Sequence, residues 1–269
     1  MKAYGPSDEV LDELGITEPQ EIDVDAIAWY LGVRVKYRPL DRCEARIVGN
    51  GDQAIITVNS RASLRRRRFS VAHELGHWKF HRGRILVCRS DEIGRSGQNY
   101  PEAERVANLY ASRLLMPSYI LEPIAGAYPK LTFQTISAIA DKFDTSITAT
   151  AIRLVEGGHT PSLLVCHGPK GRKWFTRSPD VPDRWFPQDN LDPESYAFGV
   201  LFGNQPNDTT PHKIDADAWF DRDYAHRYEV QEQTFRTGDD EILTLILIRD
   251  AEMLEDWGSS RRTFRRLKL

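Results

Sequence analysis

The sequence predicts an α+β protein of two compact units joined by a helical bridge, and three observations carry that prediction. A length of 269 residues exceeds one modest domain and falls short of three large ones. The apolar periodicity switches from helical to alternating and back again over roughly the first half of the chain. After Gly157-Gly158 the texture changes, to strand-like runs around a Trp- and Pro-rich middle. The expected segments are 1–118, a helical piece at 119–158, and a second α+β unit at 159–269.

Taken in order, Ser7 is placed to cap a short helix ending near Gly15. Pro19 opens a second, with Ile22, Val24, Ile27, Ala28 and Leu31 on one face and Gly32 as its stop. The period then becomes two: Val33–Tyr37, Glu44–Val48 and Gln53–Val58 read as strands, with turn chemistry at Asp41-Arg42 and at Gly49-Asn50-Gly51-Asp52. A small antiparallel sheet is expected. Helices follow at about Ser63–His81 and Pro101–Leu115, the second ended by Met116-Pro117. Thr132 and Ser146 are candidate caps of a further helix pair. In the last third, Leu163–Cys166 reads as a strand, and Tyr228–Arg236 with Ile242–Ile248 as a hairpin turning at Thr237-Gly238-Asp239-Asp240.

Composition excludes several classes. Hydrophobic residues at 41%, charged residues at 28% and a net charge of -3 carry no global signal for nucleic acid or a membrane surface. The start, Met1–Pro6, lacks the apolar core of a secretory signal, and no run approaches ~18 apolar residues, so a cytoplasmic protein that does not enter membranes is expected. The three cysteines, Cys43, Cys88 and Cys166, are far apart without C-x-x-C spacing and are expected as free thiols.

The chemistry concentrates at His73-Glu74-Leu75-Gly76-His77. On a helix, positions i and i+4 project from one side, so both imidazoles reach one metal ion while Glu74 addresses the adjacent space as a general base. A catalytic zinc ion needs a third protein ligand and an open position for water. The metzincin solution is excluded, because its glycine position is Phe80 and its third histidine position is Gly83. A glutamate from the next helix is the other solution, and Glu102 and Glu104 are both available. At roughly 200° apart on a helix they cannot both face the metal.

Two blocks then coincide with a known family. Arg67–His77, and Glu104-Arg105-Val106-Ala107-Asn108 running on to Met116-Pro117, resemble in sequence and separation the ImmA/IrrE family of bacterial zinc metallopeptidases. The resemblance covers about residues 20–120 and fades beyond. It implies a zincin-like unit, with Zn2+ held by His73, His77 and Glu104, and Asn108 one turn on as a support for a ligating ring. It also implies an intracellular endopeptidase whose substrate is a helix-turn-helix repressor, in stress responses or mobile-element control, and a C-terminal part that is GAF-like. His81 reads as a residue closing the helix or supporting a ligand from behind. An oxyanion donor is expected from Tyr110, Tyr100 or the loop between Arg82 and Tyr100.

Other features take plainer readings. Arg65–Arg68 spreads around the helix circumference and is expected as a solvated, salt-bridged face. The pair at Thr132–Glu156 has helix-turn-helix spacing around Asp144-Thr145-Ser146. Yet Lys130, Lys142 and Arg153 stand against Glu122, Asp141, Asp144 and Glu156, a poor supply of phosphate contacts. It is expected to pack on the peptidase unit. The basic tail Arg261–Lys268 reads as solvated. The rival to the enzyme is a DNA-binding regulator or sensor with a structural zinc site.

Overall fold

The computed structural model describes residues 5–41, 43–82, 87–88, 101–207, 209–238 and 240–255. The Arg261–Lys268 tail, Tyr100 and most of the loop before it lie outside the described residues.

The chain divides into two compact units, one comprising residues 1–129 and 135–153, the other 130–134 and 154–269. In the first unit, α1 (Pro6–Glu13) and α2 (Val24–Tyr30) precede β1 (Val33–Arg38), β2 (Ala45–Asn50) and β3 (Gln53–Asn59). Asp23 starts α2 by accepting from the Asp25 and Ala26 amides, so Pro19 opens only a single 3-10 turn rather than the whole helix. There follow α3 (Leu64–Phe80), β4 (Val87–Cys88), α4 (Glu102–Leu115), α5 (Ser118–Gly126), α6 (Phe133–Phe143) and α7 (Ile147–Glu156).

The sheet runs in the order β1-β3-β2-β4, and one expectation is corrected here. β2 pairs antiparallel with β3 through the tight Asn50–Gln53 turn, but β1 pairs parallel with β3, Val33 opposite Ala54 through Arg38 opposite Asn59. The sheet is therefore mixed. The chain between β1 and β2 is too long to close a tight hairpin, so it carries β2 past β3 to the far side, and β1 meets β3 running the same way.

α3 packs on β2, β3, α2 and α4, which makes it the central helix of the unit. Its stretch from Ser70 to Trp78 is buried without interruption. Ile56, Val58, Val71, Ala72, Leu75, Ala111 and Leu114 are all within the core. The helix pair is bound to this unit: Arg153 donates from Nη2 to Ser118 Oγ at 2.7 Å, and the Thr145 hydroxyl donates to Met116 Sδ at 3.7 Å. Asp144 takes the left-handed conformation, φ 51°, that turns the chain between α6 and α7.

The second unit is built on β5 (Ser162–Gly168), β6 (Gly171–Arg177), β7 (His212–Asp215), β8 (Glu229–Gly238) and β9 (Glu241–Ile248), ordered β6-β5-β9-β8-β7 and antiparallel throughout. α8 (Tyr196–Phe202) and α9 (Ala251–Leu254) complete it. β8 and β9 form the expected hairpin. Trp185, Trp219 and Phe220 pack with Leu163, Val165, Ile242 and Ile246 in its core. Among the described residues no helix is long and apolar enough to cross a membrane.

Candidate metal centre

The Ser63 hydroxyl starts α3 by accepting from the Arg66 amide at 3.3 Å. The following arginines are half-buried rather than the solvated face expected, though two of them are paired with carboxylates. Arg65 reaches Asp141 at 2.5 Å, Arg66 lies 3.9 Å from Glu44, and Arg67 stacks over Tyr37.

One turn into its buried stretch, α3 presents His73, Glu74 and His77, exposed by 0%, 0% and 1%. α4 supplies the partner. Glu104 is buried while Glu102 is exposed, so the ambiguity between these carboxylates resolves to the helix face that meets α3.

Gly76 permits that meeting. A Cβ there would stand 2.9 Å from Ala107 Cα and 3.1 Å from Ala107 O, too close for any other residue without moving a helix. With glycine in place the two helices close, and the ligand atoms of His73, His77 and Glu104 all lie within 4.8 Å of one another. His73 Nε2 is 3.0 Å from His77 Nε2 and 3.2 Å from Glu104 Oε2, and His77 Nε2 is 3.3 Å from Glu104 Oε1.

The rings are held from behind. His73 Nδ1 is 2.9 Å from Asn108 Oδ1, an acceptor; with the hydrogen on Nδ1, the Nε2 lone pair is the one available to a metal ion. His81, which ends α3, has its Nδ1 3.2 Å from His77 Nδ1. Burial lowers the His73 pKa despite the nearby carboxylate, which keeps the ring neutral. Burial pushes Glu104 upward, but the two imidazoles outweigh it and hold its pKa at about 2. A neutral imidazole lone pair and an ionised carboxylate thus converge at one buried point. The three residues are able to hold a metal ion.

Tyr110 packs edge-on against Phe80 at 5.9 Å, and burial raises its pKa to about 12. Cys43 is read from the sequence only as a free thiol, with no relation to the motif. Burial raises its thiol pKa, Arg46 opposes that and the Glu74 charge adds to it, but a lone cysteine 30 positions before a motif offers no local signal. Cys43 and Cys166 are free thiols, as expected.

A buried cluster of two histidines and a glutamate, on two helices against a small sheet, defines a zincin-like unit within an α+β protein. Residues 28–155 match the model of the Peptidase_M78 family, described as the IrrE N-terminal-like domain. The match ends with α7, so the helix pair falls inside it and the second unit outside. No curated protein matches the chain. A solved structure described as a Mycobacterium tuberculosis transcriptional regulator shares the fold, with a TM-score of 0.58 at 14% identity, covering 90% of this chain and 74% of that one.

Proposed function

We propose that this protein is a zinc-dependent endopeptidase, with the ion held by His73, His77 and Glu104 and with Glu74 as general base. The observation that carries the reading is the convergence of three ligand atoms beside a fully buried carboxyl. A tetrahedral zinc ion with bonds near 2.0–2.2 Å separates its ligands by roughly 3.3 Å. The separations of 3.0, 3.2 and 3.3 Å fit that geometry.

When bound, the ion supplies Lewis acidity toward water and the scissile carbonyl. Glu74 takes the proton from the attacking water and returns it to the leaving amine. Asn108 and His81 keep the two rings oriented, so that no reorganisation is needed during reaction. An extended substrate is read by pairing at an edge of the first sheet, whose edges are β1 and β4. The substrate class, a helix-turn-helix repressor inside the cell, rests on the resemblance to the ImmA/IrrE family, as does a sensor role for the second unit.

The test incubates wild type and Glu74→Gln with a candidate repressor of the same genome, with and without added zinc. A discrete fragment is expected only from wild type with zinc, and both proteins are expected to bind the ion. Undiminished cleavage by Glu74→Gln overturns the general-base assignment.

A further inference from the structure

The second unit carries a pocket of about 230 Å³ that lies on residues the peptidase chemistry does not use. Lys130 and Arg249 line it, and none of its lining residues is acidic. Leu247, a buried residue, contributes an apolar wall, and Gln233, exposed by 0%, also lines it.

Gln233 is the informative residue. Its Oε1 accepts from the Phe133 amide at 3.1 Å, which fixes the orientation of the carboxamide. Its Nε2 is buried and has no hydrogen-bond partner among the described residues. A buried amide nitrogen without an acceptor is destabilising. Such a cost is accepted where a ligand supplies the acceptor. Arg249 is also pre-positioned, its Nε donating to Gln231 Oε1 at 2.8 Å from the same lining.

We propose that this pocket binds a small organic carboxylate. Lys130 and Arg249 attract the anion, the Gln233 Nε2–H donates to one of its oxygens, and Leu247 covers its carbon skeleton. The apolar wall is the reason for a carboxylate rather than an inorganic anion. An engineered apolar cavity of about 150 Å³ holds benzene, so a volume of this size takes a ligand on the order of nine heavy atoms. Short dicarboxylates of four or five carbons meet all three demands. The site lies wholly within the second unit and is independent of the peptidase reading.

The experiment titrates the full chain with succinate and glutarate by calorimetry at low ionic strength, with inorganic phosphate and the neutral diamide succinamide as comparisons. Saturable binding of a dicarboxylate is expected, with succinamide at least tenfold weaker and phosphate weaker than either acid. Arg249→Ala, at an exposed position, is expected to reduce that binding about tenfold, one charge-assisted hydrogen bond. Gln233→Leu is expected to reduce it further, its fold checked by circular dichroism. Absence of dicarboxylate binding up to tens of millimolar, equal binding of succinamide or phosphate, or binding unchanged in Arg249→Ala overturns the proposal.

Discussion

In the first unit His73, His77 and Glu104 are buried with their ligand atoms turned toward one another. In the second, Glu232, Trp219, Thr234 and Thr244 are buried with each donor turned toward an acceptor. Glu232 accepts from the Tyr196 amide at 2.6 Å and from Trp219 Nε1 at 3.1 Å, and the Thr234 and Thr244 hydroxyls meet at 2.9 Å across β8 and β9. Both sets place polar atoms inside a core, where an unmatched group is costly. The second set is complete within itself and serves the fold. The first gathers three ligand atoms around one point, in a set able to hold a metal ion from outside. Convergence on one point, more than burial, therefore marks the reactive site.

The strongest way to break this contrast is to remove one ligand. His73→Ala is expected to abolish tight zinc binding by equilibrium dialysis while the second unit stays folded. Asn108→Ala, which loosens the same ring from behind, is expected to cost only about 10–100-fold in metal affinity. Equal effects from the two variants would mean that Asn108 is itself a ligand; unchanged affinity in both would place the ion elsewhere.

The second unit is sharpened by pH, through Glu232 of this set and through His167, which lies outside it. Burial raises the Glu232 pKa to about 7, so this group favours the folded state at low pH and that contribution is lost as pH rises from about 4.5 to 7. Burial lowers the His167 pKa to about 4, with Arg172 and Asp189 acting on it in opposite senses. His167 therefore contributes stability above pH 6.5, and loses it as pH falls toward 4. Each effect amounts to about 3 kcal/mol, and over pH 4.5–6.5 they oppose. Glu232→Gln should make stability rise more steeply with pH, by about 1.4 kcal/mol per unit, and His167→Gln less steeply by a similar amount. Chemical denaturation across this window measures the slopes, which a pH-independent packing cost does not alter. Slopes matching wild type would mean that neither group is shifted.

How much of this was legible depended on whether the cause was local. His73 and His77 were readable because their relation is one helical turn. Glu104 was not separable from Glu102 by spacing alone, since the choice depends on which face of α4 meets α3; the family resemblance supplied it. The parallel pairing of β1 with β3 was hidden because turn residues report on neighbouring strands and are silent about which side of a sheet a longer connection reaches. β6 and α8 were missed for a related reason: Gly171–Arg177 is half-buried and cationic, and Tyr196–Phe202 is short and interrupted by Gly199, so neither shows a clear period. The charge effect of Glu74 on Cys43 is a purely tertiary relation.

The mildest perturbation tests the closeness of the helices itself. Gly76→Ala adds one methyl group on α3, facing Ala107 and Tyr110. The substitution favours α3 by helix propensity, by about 1 kcal/mol. Its Cβ, however, meets backbone rather than a flexible side-chain tip, and overpacking of this kind costs about 1–3 kcal/mol. The net loss of stability is expected to be about 1 kcal/mol, read by chemical denaturation of the metal-free protein. If α3 and α4 relax apart, Glu104 moves away from His73 and His77, and zinc affinity falls by more than the stability does. A variant that is more stable than wild type with full zinc affinity would show that the glycine does not set the spacing of the site. Stability lost with affinity intact would assign Gly76 to packing alone.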